Sequence, residues 1–223
     1  MSNIALCAAC LIIAALFLAE EKRENYTTAV FLKALASLSF VILGFLARPD
    51  YYRGSLPKLL IAGLCFGCAA DVLLNLRHVL KKQGKLIFLV GILVFLCGHI
   101  LYLAAVLPLS ANWIVCVLAG LVLTALLMKW IFSRITAEKA FKIFGVVYIG
   151  AIVVLNCVAV GNLIAAPGAF TELFAAGALL FLVSDIVLIL NTFGPKERFS
   201  LRVTNIALYY VGQLLIALSL LYV

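Results

Sequence analysis

Charged side chains are scarce in this sequence. Lysine, arginine, aspartate and glutamate together make up 12% of the 223 residues, about half of the fraction found in a typical soluble domain. The hydrophobic share is 67%, and a globule of this size cannot hide so much apolar surface in one core. A disordered chain is excluded as well, because disorder requires low hydrophobicity. The composition therefore predicts an all-α, polytopic membrane protein.

Histidine and the acidic residues are also few, and their placement excludes further classes of protein. The chain has two histidines and nine acidic residues, and no cluster among them has metal-ligand spacing, so neither a metal nor a cofactor is expected. The basic residues form short groups between apolar runs, a pattern that does not favour a nucleic-acid partner. The seven cysteines all lie inside apolar runs, which favours packing over disulfides. Ser184 stands beside Asp185, but no Ser-His-acid triad is evident around His78 and His99.

Eight apolar runs account for nearly the whole chain. They cover residues 4–19, 28–47, 57–76, 86–107, 112–132, 141–161, 170–191 and 202–222. A transmembrane helix needs about 20 residues, so the runs predict eight spanning helices joined by short loops. Residues 1–223 then form a single integral membrane domain. The chain is expected to be multi-pass.

The loops predict how the helices are oriented. Loops that follow the odd-numbered helices hold most of the lysines and arginines, whereas the other side holds Arg48, Arg53 and Lys58. Because basic loops remain in the cytoplasm, both termini are expected on the non-cytoplasmic side. In a bacterium the membrane would be the inner membrane. The sequence carries no signal for an oligomeric state.

Two helices share a local pattern that predicts an internal repeat. The segment A-A-D-V-L-L-N-L at 69–76 in helix 3 is similar to V-S-D-I-V-L-I-L at 183–190 in helix 7. Each aspartate is followed 28 residues later by a polar residue in the next helix, His99 in one case and Gln213 in the other. Two four-helix halves would explain the pattern. The alternative is a chance similarity between two leucine-rich helices.

Three ionisable residues lie deep inside the apolar runs: Lys33, Asp71 and Asp185. An ionisable side chain within a membrane helix is costly and marks a functional site by default. At a rise of 1.5 Å per residue, all three lie about 7–9 Å from the predicted cytoplasmic ends of their helices. We therefore expect them to face one cavity that opens towards the inner leaflet. For Lys33 the alternative is a side chain that extends to the membrane surface.

Further polar side chains lie on helix faces that match the two aspartates. Tyr148, Asn205 and Tyr209 are expected at the depth of the carboxylates, whereas His99, Asn156 and Gln213 are expected deeper, about 18–21 Å from the cytoplasmic ends. The alternative role for the deeper three is hydrogen bonding between helices. The candidate substrate-binding or supporting residues are Lys33, Asn75, His99, Tyr102, Tyr148, Asn156, Ser184, Asn205, Tyr209 and Gln213.

At these positions the sequence resembles the YhhN-type lysoplasmalogenase family of eight-helix membrane proteins. The segments that carry the resemblance are A-A-D-V-L-L at 69–74, F-L-V-G-I-L-V-F-L-C-G-H-I-L-Y at 88–102, L-F-L-V-S-D-I-V-L at 180–188 and Y-Y-V-G-Q-L-L-I at 209–216, together with Lys33. Ala70 stands where the family has glycine, and Ala34 where proline is usual. The resemblance implies hydrolysis of the vinyl ether bond of a lysoplasmalogen, which yields a fatty aldehyde and glycerophosphoethanolamine or glycerophosphocholine. It also implies that Asp71 and Asp185 are catalytic.

Two buried carboxyl groups suit that chemistry. Vinyl ether cleavage begins with protonation of the β-carbon, so it needs one carboxylic acid and one carboxylate that stabilises positive charge. Burial and mutual repulsion favour such a division, and Lys33 would keep one member ionised. The expected substrate is a lysophospholipid within the bilayer, with its headgroup at the basic face. The alternative is a proton-coupled transporter that uses the same carboxylates as relay groups.

Overall fold

The computed structural model describes residues 3–48 and 54–223. Arg53, one of the residues used to predict the orientation, lies outside these ranges. The described chain is helical throughout, without strands, and its long helices are α1 Asn3–Lys22, α2 Tyr26–Ala47, α3 Leu56–Val79, α4 Gly84–Val106, α5 Trp113–Phe132, α6 Lys139–Ala165, α7 Ala169–Phe193 and α8 Phe199–Ser219. Each is long and apolar enough to cross a membrane. The predicted all-α bundle of eight helices is confirmed, and the chain is a multi-pass integral membrane protein.

Proline marks several of the helix boundaries. Pro57 lies in the first turn of α3, where its missing N–H would have had no helical partner. Pro108 lies in the short 3-10 turn that follows α4. Pro167 and Pro195 lie in the connections before α7 and before α8. The short connections force neighbouring helices to run antiparallel, so the ends of α1, α3, α5 and α7 gather at one end of the bundle, called the basic end below.

The helices differ in how much of their surface the bundle covers. α8 packs against α7, α2, α1 and α3, whereas α5 packs mainly against α6. Large apolar side chains on α5 are accordingly exposed, for example Val115 and Leu126. In a membrane this surface faces lipid tails, so its exposure carries no hydrophobic cost. The interior available for polar chemistry therefore lies around α2, α3, α7 and α8.

Two pairs of glycines give the predicted repeat a counterpart in helix packing. α3 packs most extensively against α4, and α7 packs most extensively against α8. A Cβ atom on Gly63 would lie 3.1 Å from the carbonyl oxygen of Gly98, and one on Gly177 would lie 2.7 Å from that of Gly212. Gly63 and Gly177 each precede the aspartate of their helix by eight residues. Each aspartate therefore lies about two helical turns beyond a close approach to the next helix.

Candidate active site

A cleft between α2, α3, α4, α7 and α8 contains the three ionisable residues that lie deep in the sequence runs. Its wall is formed by Lys33, Asp71, Leu74, Asn75, Arg77, Phe88, Phe95, Asp185, Leu188, Arg202, Asn205, Ile206 and Tyr209. We call it the carboxylate cleft. It lies in the half of the bundle nearest the basic end, because its residues come from the last turns of α3 and α7 and the first turns of α8.

Asp71 is held by three side chains from two neighbouring helices. The ammonium nitrogen of Lys33 lies 3.0 Å from Oδ1 of Asp71. The hydroxyl groups of Ser37 and Tyr209 each donate a hydrogen bond to Oδ2, at 2.5 Å. Asp71 is only 1% exposed, and the cation and the two donors satisfy both of its carboxylate oxygens. This arrangement is suited to a carboxylate that stabilises positive charge nearby.

The side chain of Lys33 is turned into the bundle instead of extending to the membrane surface. It is buried, and its ammonium group lies 5.2 Å from the ring centroid of Phe17 and 5.6 Å from that of Tyr209. The hydroxyl of Tyr210 lies 3.1 Å from Oγ of Ser37 and donates to the carbonyl of Lys33 at 3.4 Å. This second layer of contacts fixes the position of the ion pair.

Asp185 has a much sparser environment than Asp71. It is buried on α7, and the hydroxyl of Tyr148 donates a hydrogen bond to its Oδ2. In the part of the chain that the structure describes, Tyr148 is its one hydrogen-bond donor, and no cation lies within ion-pairing distance. A buried carboxyl group with so little compensation favours the neutral, protonated form. Asp185 is therefore the carboxyl group suited to donating a proton.

Ser184 and Asn205 fix α8 against α7 beside the cleft. Oγ of Ser184 donates to the carbonyl oxygen of Asn205 at 3.0 Å, and the Asn205 amide donates to the Ser184 carbonyl at 3.0 Å and to Ser184 Oγ at 2.8 Å. Asn75 donates to the carbonyl of Asp71 at 3.0 Å. These side chains position the backbone of the helices that carry the aspartates.

A second cavity begins at Asp185 and extends between α4, α5, α6 and α7. We call it the apolar chamber, and its wall is formed by Leu74, Phe88, Ile92, Phe95, Met128, Ile131, Phe132, Ile135, Ala137, Phe141, Lys142, Gly145, Tyr148, Asp185, Leu188, Ile189, Thr192 and Phe193. Apart from Asp185, Tyr148, Lys142 and Thr192, its wall is almost entirely hydrocarbon or aromatic, so its lining suits an aliphatic chain.

A third cavity lies at the basic end and connects with the carboxylate cleft. We call it the polar vestibule, and its wall is formed by Glu21, Tyr26, Arg77, His78, Leu188, Asn191, Thr192, Glu197, Phe199 and Arg202. Arg77, Leu188 and Arg202 also line the carboxylate cleft. The three cavities thus adjoin one another in the half of the bundle nearest the basic end, and we call them together the path. Its charged side chains lie mainly in the vestibule and the cleft, and its apolar ones in the chamber. An amphiphilic molecule has the same distribution of polarity.

Five of the candidate residues line none of the three cavities. His99, Tyr102, Asn156 and Gln213 are buried deeper in the bundle, and Ser184 points towards α8. The hydroxyl of Tyr102 donates to Oε1 of Gln213 at 2.9 Å, and Asn156 donates to a carbonyl of α7 at 3.2 Å. Nδ1 of His99 lies 2.8 Å from a carbonyl of its own helix. The structure thus places this group in contacts within and between helices.

Three residues of the site are absent from the candidates chosen on sequence grounds: Ser37, which donates to Asp71, and Arg77 and Arg202, which line the path. Ser37 follows Lys33 by one helical turn, and that spacing was a usable signal. Arg77 and Arg202 lie near helix ends, where a basic residue is used to predict how the helices are oriented in the membrane. In residues 3–48 and 54–223, no group of three or more His, Cys, Asp or Glu side chains is arranged to hold a metal ion.

Comparison with known proteins gives a consistent result over most of the chain. The family model described as the YhhN family matches residues 28–220. Lysoplasmalogenase TMEM86A of Bos taurus is 32% identical over 183 residues, which cover 79% of this chain and 69% of the relative. The Homo sapiens protein of the same name is 32% identical over 185 residues, with the same coverage. No solved structure matches the chain significantly.

Proposed function

Because the chain belongs to the YhhN family, we propose that it is a lysoplasmalogenase, a membrane hydrolase that cleaves the vinyl ether bond of a lysoplasmalogen. The products are a fatty aldehyde and glycerophosphoethanolamine or glycerophosphocholine. The observation that supports this most directly is the position of Asp185. Its carboxyl group lies where the apolar chamber meets the carboxylate cleft, and the vinyl ether of a lysoplasmalogen lies where the lipid tail meets the headgroup.

The shape of the path supports a lysophospholipid substrate. With the tail in the apolar chamber and the headgroup in the polar vestibule, the first carbons of the tail lie beside Asp185 and Asp71. A substrate held in this way matches apolar surface to apolar surface and charge to charge. The lipid reaches the path from the leaflet at the basic end. We propose that this is the cytoplasmic leaflet, of the inner membrane in a bacterium.

The first chemical step is proton transfer from Asp185. The protonated carboxyl group donates its proton to the β-carbon of the alkenyl chain, and the electron pair of the C=C bond forms the new C–H bond. The α-carbon and its ether oxygen then share a positive charge as an oxocarbenium ion. The ionised Asp71 stabilises this charge electrostatically. Tyr148 holds the Asp185 carboxyl group in place during the transfer.

Water completes the reaction. A water molecule adds to the α-carbon and loses a proton to the Asp185 carboxylate, which regains its starting form. The resulting hemiacetal collapses when its bond to the glycerol oxygen breaks. Its hydroxyl group loses a proton as the aldehyde C=O forms, and the glycerol oxygen takes up a proton. One carboxyl group thus serves first as acid and then as base. Asp71 remains ionised throughout, because Lys33 and the two hydroxyl donors stay with it.

The direct test is to offer purified protein three lysolipids with the same headgroup: an alkenyl ether, an alkyl ether and an acyl ester. Aldehyde release is expected from the alkenyl ether alone, because protonation of an alkyl ether gives no oxocarbenium ion. The alkyl ether keeps the tail and the headgroup, so it should inhibit competitively. Hydrolysis of the alkyl ether would contradict the two-carboxyl mechanism. Solute uptake driven by a proton gradient, with no aldehyde released, would instead support the transporter.

A further inference from the structure

Arg77 places a positive charge between the carboxylate cleft and the polar vestibule. Its side chain lines both cavities, the vestibule together with Glu21 and Glu197. Nε of Arg77 donates to Nε2 of His78 at 3.2 Å. The guanidinium carbon lies 4.4 Å from the ring centroid of Phe88. Within residues 3–48 and 54–223, no carboxylate lies within 4.0 Å of this guanidinium group. The group is therefore fixed in orientation without having an anion of its own.

Arg202 gives the useful contrast, because it lines the same two cavities. Its Nε and Nη2 atoms donate to the two carboxylate oxygens of Glu21, at 2.8 and 2.7 Å. A bidentate pair of this kind satisfies the guanidinium group and neutralises its charge. Of the two arginines, Arg77 is thus the one that can accept an anionic ligand without first breaking an ion pair.

We propose that Arg77 binds the phosphodiester group of the lysophospholipid substrate, an inference that rests on the proposed function. A guanidinium group binds phosphate oxygens through two parallel N–H donors, and no hydrogen bond to a residue of 3–48 or 54–223 occupies the terminal amino groups of Arg77. Stacking on Phe88 holds the plane of the guanidinium and restricts the approach of the phosphate. Arg77 is an anchor that sets how deep the lipid enters the path.

The anchor explains how the reacting carbon would be held at the correct depth. An aliphatic tail can slide along an apolar chamber at little cost, so the chamber alone does not fix the vinyl ether beside Asp185. Three glycerol carbons separate the phosphate from the vinyl ether oxygen. Arg77 follows Asp71 by six residues on α3, about 9 Å along the helix axis. A phosphate on Arg77 therefore leaves the glycerol unit to span the carboxylate cleft.

The experiment compares two substrates that differ only in the phosphate-containing headgroup: an alkenyl lysophosphatidylethanolamine and the corresponding 1-O-alkenylglycerol. Arg77→Gln should raise KM for the phospholipid by about 30-fold, the effect of losing a charge-assisted hydrogen bond. It should leave kcat/KM for the alkenylglycerol within about twofold of wild type. Arg77→Lys should recover part of the loss. An equal loss on both substrates, or none on either, would overturn the proposal.

Arg134 provides the matched control. Its guanidinium carbon lies 4.6 Å from the ring centroid of Trp130, so it is also an arginine stacked on an aromatic ring, but it lines none of the three cavities. Arg134→Gln should change KM for neither substrate. A rise in KM for the phospholipid equal to that of Arg77→Gln would mean that surface charge, and not a phosphate site, draws the lipid to the protein.

A binding measurement keeps the proposal separate from the proposed function. Titration calorimetry in detergent would use an alkyl-ether lysophospholipid, the corresponding alkylglycerol and inorganic phosphate alone. Arg77→Gln should weaken binding of the phospholipid by about 30-fold and leave the alkylglycerol unchanged, even if the protein releases no aldehyde. Inorganic phosphate that binds as tightly as the phospholipid would assign the site to free phosphate and overturn the lipid anchor.

Discussion

Asp71 and Asp185 occupy corresponding positions in α3 and α7, eight residues after a glycine that packs against the next helix, yet their surroundings differ in charge. Asp71 receives a lysine and two hydroxyl donors from α2 and α8. Asp185 receives one hydroxyl donor, from α6, and borders the apolar chamber. The glycine contacts thus give the two groups similar backbone positions, and the neighbouring helices give them different partners. In the proposed reaction, this difference would let two identical side chains take different roles.

The largest effect on turnover is expected at Asp185, which has fewer partners than Asp71. Asp185→Asn removes the proposed acid but keeps a group that accepts the Tyr148 hydrogen bond, so the protein should fold with a Tm close to wild type. Aldehyde release should fall by about 10²–10⁴-fold. Glu172→Gln, a matched change on the same helix and outside the three cavities, should leave kcat unchanged. Turnover by Asp185→Asn near the wild-type rate would mean that this carboxyl group is structural.

The corresponding change at Asp71, which has three partners, should lower stability as well as turnover. Asp71→Asn leaves the buried ammonium group of Lys33 without its anion, and an uncompensated buried charge costs about 3–5 kcal/mol of stability. We expect a loss of about 10²-fold in kcat together with a lower Tm. The double variant Lys33→Met, Asp71→Asn should regain much of the Tm without regaining kcat. If the single variants Asp71→Asn and Asp185→Asn had the same Tm, the two carboxyl groups would not differ in their contribution to stability.

The helices and part of the site could be predicted from the sequence, whereas the side-chain partners could not. The reason is physical. Hydropathy defined all eight helices, because each run must span the bilayer by itself. The depth of Lys33, Asp71 and Asp185 followed from the helical rise alone. The partner of Lys33 and the position of His99 away from the cleft did not, because they depend on how each helix is rotated against its neighbours. That rotation arises from the packing of the whole bundle.

Removing single hydroxyl groups sharpens the comparison further. Tyr148→Phe takes away the one hydrogen bond that Asp185 receives from the described chain, and kcat should fall by about 10-fold as the carboxyl group loses its orientation. Tyr209→Phe takes away one of three partners of Asp71, and we expect a fall of less than about threefold. Both values come from initial rates of aldehyde release. A larger loss from Tyr209→Phe would reverse the assignment of the two sites.

A change in the apolar chamber, which is lined by Asp185 but not by Asp71, tests where the lipid tail lies. Gly145 lines the apolar chamber, and a Cβ atom there would have no neighbour within 4 Å. Gly145→Leu should therefore reduce the space for a lipid tail without a clash, and leucine is the better helix former, so stability should hold. We expect KM for an 18-carbon alkenyl chain to rise about fivefold and KM for a 10-carbon chain to stay unchanged.

Gly168→Leu is the control for this variant, because a Cβ atom at Gly168 also meets nothing within 4 Å and the residue lies between α6 and α7, away from the chamber. It should alter KM for neither chain length. A rise in KM that is independent of chain length in Gly145→Leu would mean that the tail does not occupy the chamber. Asp185 would then lose its contact with the reacting carbon, since the proposed proton transfer depends on a tail that extends from this carboxyl group into the chamber.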